Sequence, residues 1–255
     1  MARLDGRVAI VTGAAQGLGL GAAFAKKLAG EGAAVVIADI EPGGGAIEAI
    51  HADHPDAKLL DVPTDVSDEA SCQALVAAAQ EHFGGLDILV NNAKGRFRYA
   101  PFEELSVEDW DTMFAVAVRG SFLCAKAAAP VMRARGYGKI INLASGTVFK
   151  GAPGMLHYVT AKGALLAMTR SMSRELGADG ICVNTLAPGL TLSENILGNT
   201  EIFNATARNA MIQSRALKRE EVPDDLVGAV LFLASPDSDF MTGQCLVVDG
   251  GSVNH

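Results

Sequence analysis

The chain has 255 residues, 49% of them apolar, with 29 acidic against 21 basic side chains for a formal charge of −8. That length can bury a sizeable core, and doubly wound or barrel α/β folds of this size often form one unit. Lys and Arg are scattered singly, which argues against nucleic acid or an anionic membrane as the main partner, and mixed-sign charge argues against disorder.

Cys72, Cys124, Cys182 and Cys245 are far apart in sequence and form no CxxC pair, so each reads as a small hydrophobe in a reduced, cytoplasmic compartment. Gly13 and Gln16 interrupt the apolar N-terminal stretch before a signal-peptide core could form. No uninterrupted apolar run approaches the length of a membrane span, so the expected protein is soluble.

In chain order, Val8–Val11 is a β-branched run typical of a strand buried on both faces. A glycine-rich turn follows, then a helix over Leu18–Leu28 and a second strand over Ala33–Ala38, closed by Asp39. Helical spacing covers Gly45–Asp53 and Asp68–Phe83, with strands at Leu59–Leu60 and Asp87–Val90. Two long helices, Val107–Arg135 and His157–Leu176, flank a strand at Lys139–Leu143. A strand at Ile181–Leu186, a helix at Pro223–Leu233 and a last strand at Gln244–Val248 complete the pattern. Alternating strands and helices with right-handed crossovers predict a doubly wound parallel sheet covered on both faces, a Rossmann-type α/β fold in one domain over 1–255. The polar, irregular stretch from Leu190 to Glu221 predicts an excursion that closes over a ligand as a lid.

The turn Thr12-Gly13-Ala14-Ala15-Gln16-Gly17-Leu18-Gly19 joins the first strand to its helix. Gly13 permits a tight turn, Gly17 lets backbone approach a pyrophosphate, and Gly19 lets the helix pack closely on the sheet. The helix N-terminus offers free N–H groups and a positive dipole end to phosphate oxygens. Asp39 lies twenty residues beyond Gly19, where a carboxylate accepts hydrogen bonds from both adenosine ribose hydroxyls and repels a 2′-phosphate. Its neighbours Ile40 and Glu41 bring no positive charge, so the expected cofactor is NAD rather than NADP. Tyr158 and Lys162 share one helix face, and an ammonium beside a phenol favours the phenolate. Ser145 lies thirteen residues earlier, just past the strand at Lys139–Leu143, where strand ends open onto a ligand crevice.

Taken together these motifs resemble the short-chain dehydrogenase/reductase family, in its 250-residue form, over essentially the whole chain. Thr12-Gly13-x-x-x-Gly17-x-Gly19 resembles its cofactor turn, Asp65-Val66 its adenine contact, and Asn91-Asn92-Ala93 the close of its fourth strand. Asn184, Pro188-Gly189 and Thr191 resemble the segment that holds the nicotinamide carboxamide, and Thr242-Gly243-Gln244 with Val248-Asp249-Gly250-Gly251 matches near the end. The resemblance implies hydride transfer between NAD(H) and a secondary alcohol or ketone. Tyr158 would be the general acid/base, Lys162 would hold the nicotinamide ribose and depress the phenol, and Ser145 would steady the substrate oxygen. It implies cofactor contacts at Gly13, Gln16, Gly17, Leu18 and Gly19, then at Asp39, Ile40, Asp65 and Val66. Further contacts follow at Asn92, Ala93, Tyr158 and Lys162, then at Pro188, Gly189, Leu190 and Thr191. It implies a homotetramer built through the two long helices, which are rich in alanine (Ala125, Ala127 to Ala129, Ala161, Ala164 and Ala167); no metal is expected, since the histidines offer no set of three ligands.

The chain departs from that pattern twice. Ala117 stands where the family usually has an asparagine that helps hold a water near the lysine, and this motivates an alternative: a dinucleotide-binding sensor or scaffold with weak or no turnover. Lys94 follows Asn-Asn-Ala where glycine is usual, and lies near the cofactor or the crevice mouth or points to solvent. Enoyl reduction is disfavoured, because those relatives space the tyrosine and lysine more widely. Phe97, Tyr99, Phe149, Met155, Leu190, Leu192 and Ile196, with Arg96, Arg98 and Lys150, would suit an apolar or aromatic secondary alcohol bearing a polar or acidic group. His51 and His54 lack a third ligand, and His157 points about 100° away from Tyr158 on its helix.

Overall fold

The computed structural model describes residues 2–17, 19–198 and 203–253, without the side chains of residues 194 and 195; Leu18, His255 and residues 199–202 of the expected lid lie outside the described residues. Among these, seven strands pair in parallel: β1 (Val8–Thr12), β2 (Ala34–Asp39), β3 (Leu59–Pro63), β4 (Ile88–Asn91), β5 (Gly138–Leu143), β6 (Ile181–Pro188) and β7 (Cys245–Val248). Their order is β3-β2-β1-β4-β5-β6-β7. The crossovers carry α1 (Leu20–Gly30), α2 (Gly44–Asp53), α3 (Glu69–Phe83), α4 (Val107–Phe114), α5 (Ser121–Arg135), α6 (Thr147–Lys150) and α7 (Leu156–Leu176). After β6 come α8 (Glu194–Leu197), α9 (Ala205–Ser214) and α10 (Asp224–Ala234).

The alternation of side chains along each strand builds two cores. Ala9, Val11, Val35, Ile37, Ile88, Val90 and Ile141 face α1 and α10, where Phe24, Leu28, Leu226 and Val230 are buried. Val8, Ile10, Val36, Leu89 and Ile140 face α3 and α5, where Leu75, Leu123 and Met132 are buried. A β-branched run therefore appears wherever both faces are covered. The strand order reverses between β1 and β4, so the carboxyl ends of those two strands flank the crevice of the sheet.

One reading of the sequence changes, and the fold adds two features to it. The helix expected as one piece over Val107–Arg135 is α4 and α5 joined by a π-helical turn, Ala115–Gly120. An extra residue per turn is accommodated there, a feature that apolar spacing does not encode. That combined segment is also, by length and composition, long and apolar enough to cross a membrane, although much of it is buried against the rest of the protein. The cysteines are not all apart in space: Cys72 of α3 and Cys124 of α5 are buried with their sulfurs 3.6 Å apart.

Candidate active site

The glycine turn after β1 is fixed by backbone geometry. Gly13 adopts φ +66°, and a Cβ there would lie 2.8 Å from Ala93 Cα, so the turn after β1 lies directly against the end of β4. Hydrogen bonds lock the two together: the Asn92 side-chain amide donates to the Thr12 and Gly13 carbonyls (both 2.9 Å), and the Asn92 and Ala93 amides donate to Thr12 Oγ1. The close packing assigned to Gly19 belongs to Gly21. A Cβ at Gly21 would collide with the Gly13 carbonyl, whereas Gly19 is the N-cap of α1 and would meet only Gln16. Gly17 has nothing nearer than the Gly45 carbonyl at 3.6 Å, which leaves its backbone open. The turn thus presents the bare N-terminus of an eleven-residue helix, a fit for a pyrophosphate.

Asp39 ends β2 beside that turn. Its carboxylate accepts from the Ala15 amide (3.0 Å) and the Glu41 amide (3.3 Å). A carboxylate has about four lone-pair sites, so capacity remains for ribose hydroxyls. Ile40 is exposed next to it. One strand further out, Val66 is buried, while Asp65 folds its own carboxylate back onto Ser67.

Ser145, Tyr158 and Lys162 are brought together past the end of β5. Ser145 is buried, hydrogen-bonded to the Tyr158 phenol, and accepts from the Thr147 hydroxyl at 3.0 Å. Burial pushes the phenol above the usual tyrosine range and the Ser145 hydrogen bond draws it back. Lys162, also buried, donates to the Leu143 carbonyl, and its ammonium lies 5.8 Å from the centre of the Tyr158 ring. Burial and, secondly, the positive charge of Lys94 bring Lys162 down to about 7. Without ligand, then, burial moves both groups, the lysine downward and the phenol upward, and burial rather than the lysine governs the phenol.

Past β6, the Thr191 hydroxyl donates to Glu221 at 2.6 Å and the Thr191 carbonyl accepts from the Ser193 amide at 2.8 Å, which leaves the Thr191 amide to meet a ligand. Glu221 and Arg215 are both buried; Arg215 donates to the Leu190 carbonyl at 2.7 Å, and burial raises the Glu221 carboxyl. The two ends of the 190–221 excursion are thereby tied at its neck, with the Leu192 amide donating to the Glu221 carbonyl. Gly189 donates to the Val248 carbonyl, holding the Pro188-Gly189 turn on β7. Asn184 is occupied elsewhere: it donates to the Met241 carbonyl and accepts from the Gln244 amide, stitching β6 to the approach of β7.

Other features escaped the sequence reading. A buried polar ladder runs Asn91, Asn142, Thr169, Thr185 across β4, β5, α7 and β6, each pair within 2.9 Å. Asn91 also reaches the Ser121 carbonyl, and the Ser121 hydroxyl caps the Ala117 carbonyl at 2.7 Å, so the π-turn is wired to the centre of the sheet. Ala117 itself is fully buried in a small cluster with Met113, Ala161, Phe97 and Tyr158. His157 is buried with neither ring nitrogen partnered among the described residues, and it stacks on Phe97 (5.6 Å, 14°). Phe97 meets Tyr158 edge-on at 5.7 Å. Phe97, expected from the sequence among the crevice residues after β4, thus lies against the Tyr158 ring.

The arrangement has counterparts among known proteins. A family model described as enoyl-(acyl carrier protein) reductase matches residues 13–253. A short-chain dehydrogenase/reductase from Hericium erinaceus is 38% identical, covering 97% of this chain and 98% of its own. The chain belongs to the short-chain dehydrogenase/reductase family. Galactitol 2-dehydrogenase from Agrobacterium fabrum is 40% identical over 98% of each sequence. The solved structure of levodione reductase superposes with a TM-score of 0.92 at 31% identity, covering 99% of this short-chain dehydrogenase/reductase and 100% of the other chain.

Proposed function

We propose that this short-chain dehydrogenase/reductase moves a hydride between NAD(H) and a secondary alcohol or its ketone, with Tyr158 as general acid/base. That it is an oxidoreductase of alcohols and ketones, dependent on a nicotinamide cofactor and acting on small molecules, follows from the family and from relatives named for polyol oxidation and ketone reduction. The observation that carries the residue assignment is the joint placement of Ser145, Tyr158 and Lys162 at the end of β5. A bound nicotinamide supplies or accepts the hydride. Tyr158 accepts the carbinol proton in oxidation and returns it in reduction; Ser145 donates a hydrogen bond to the substrate oxygen as charge develops there. Lys162, held on the Leu143 carbonyl, fixes the nicotinamide ribose and, once charged, favours the phenolate.

The choice of NAD rests on Asp39, whose carboxylate borders the glycine turn with Ile40 and Glu41 following it. Gly13, Gln16, Gly17, Gly19, Asn92, Ala93, Pro188, Gly189, Leu190 and Thr191 would line the same crevice, and Asp65 and Val66 its adenine end. On this reading residues 1–255 act as one catalytic domain with 190–221 as its lid. The unbonded Cys72 and Cys124 sulfurs at 3.6 Å support a reducing, cytoplasmic setting. A homotetramer through α4, α5 and α7 is supported by a groove there lined by Phe114, Val118, Phe122 and Met168.

The test follows absorbance at 340 nm with NAD and NADP against polyol, aliphatic and aromatic secondary alcohols. Turnover with NAD, lowered roughly 10²–10⁴-fold in Tyr158→Phe with cofactor affinity retained, is the expected result. Equal use of NADP would sink the Asp39 assignment, and undiminished turnover in Tyr158→Phe would sink the acid/base assignment.

A further inference from the structure

Lys94 leaves β4 at a fixed place. The two residues before it are pinned by Thr12 Oγ1, and Asn91 is in register with Asn142 on β5, one residue before the Leu143 carbonyl that receives Lys162. Three residues beyond Lys94, Phe97 lies against the Tyr158 ring. The Lys94 segment therefore runs along the Tyr158–Lys162 end of the crevice, not its adenine end. Arg96 is exposed; Lys94 is exposed over much of its side chain while burial around its amine lowers its pKa, and among the described residues neither has a hydrogen bond or a carboxylate partner. Arg98, by contrast, is paired with Asp109 at 3.0 Å. In a chain of net charge −8, unpaired cations beside a buried lysine are a local reversal of sign.

We propose that Lys94, backed by Lys162, forms an anion subsite at the carbinol end of the crevice, selecting substrates that carry a carboxylate next to the reacting alcohol or ketone. Two anions could in principle be met, a substrate carboxylate or a cofactor phosphate. The phosphates have their own seat at the helix N-terminus behind Gly13 and Gly17, so the free cation at the other end is left for the substrate. The mutual repulsion of Lys94 and Lys162, which lowers the latter, is relieved when a carboxylate lies between them. The subsite thus binds a hydroxy acid or sugar acid and in the same step returns charge to Lys162, the state that favours the phenolate. This rests on the reading of Tyr158 and Lys162 as the reaction centre.

The experiment compares matched pairs, four- to six-carbon polyols and the corresponding aldonates, in the wild type, Lys94→Gln and Lys94→Arg. The wild type is expected to favour the aldonate in kcat/KM; Lys94→Gln should cut that acid-to-neutral ratio at least tenfold, the two substrates being compared at one pH so that any change through Lys162 enters both alike, and Lys94→Arg should restore most of it. An acid-to-neutral ratio unchanged in Lys94→Gln overturns the subsite. So does a loss of NAD affinity with the ratio unchanged, which would assign Lys94 to the cofactor phosphates. Calorimetric binding of the aldonates to NAD-saturated protein is measured in parallel. If no alcohol turns over, the reading of Tyr158 fails, and Lys94-dependent aldonate binding still decides the subsite: affinity unchanged by Lys94→Gln overturns it.

Discussion

Lys162 is held where an ammonium is costly. Its amine is buried on the Leu143 carbonyl, with the Lys94 charge adding to the penalty, and its pKa falls to about 7 from the ordinary lysine value near 10.4. Between those two values the unfolded chain holds a proton that the folded, unliganded chain has released. Stability therefore rises with pH across that window, and the burden of a buried cation is felt in full only below it. The slope approaches about 1.4 kcal/mol per pH unit for one proton. Comparing urea midpoints of the unliganded wild type and Lys162→Met from pH 6.5 to 9.5 isolates this group, since other titrations cancel. The wild type should gain on the variant as pH rises. Parallel curves would mean that Lys162 keeps its proton in the empty protein.

At the scale of elements, the π-turn joins two sites that the sequence presents separately. Gly120 ends the turn, and a Cβ there would lie 2.7 Å from Val66 Cγ2 and 3.2 Å from the Val66 carbonyl. Alanine would ordinarily help a helical position by about 1 kcal/mol. Overpacking at that distance costs about 1–3 kcal/mol, so the collision wins. Gly120→Ala should lower the melting temperature and raise KM for NAD several-fold through displacement of Val66, with kcat nearly unchanged. A more stable variant with unchanged KM would show that Val66 yields freely and is not the adenine wall. The contrast with Gly13 is instructive about what a sequence carries. Gly13, Gly17 and Asp39 were legible because a tight turn and a strand end restrict residue type locally. Gly21 and Gly120 were not, because their demand comes from how elements pack, the Gly13 carbonyl of the preceding turn in one case and Val66 beyond β3 in the other. Ala117 was legible as a departure but not as a consequence: it is fully buried beside Tyr158, and the Ser121 hydroxyl holds its carbonyl. Distance in sequence also hid the polar ladder, whose partners meet only once β4, β5 and β6 lie side by side.

For the whole molecule, a parallel sheet covered on both faces by two cores follows from buried β-branched runs, but what covers the outside does not. The α4–α5 face keeps Phe122 half-exposed (48%) over a groove shared with Phe114, Val118 and Met168, and Trp110 stacks on Phe114 at 4.8 Å. Arg119 and Asp111 rim this groove, which gives it the apolar centre and charged edge of a self-complementary contact. Burying one such phenylalanine is worth about 1.5–3 kcal/mol, and a two-fold contact counts it twice. Replacing it by aspartate would set like charges against each other across the two-fold. Light scattering after gel filtration at micromolar concentration should therefore give a tetramer for the wild type and a smaller species for Phe122→Asp, with unchanged circular dichroism. Because Tyr158 on α7 packs against Ala117 of the π-turn, through the same cluster as Phe114, the dissociated variant should also lose turnover more than NAD affinity. A wild type that elutes as a monomer would overturn the assembly, and a smaller Phe122→Asp species with full turnover would show that each active site stands without its neighbours.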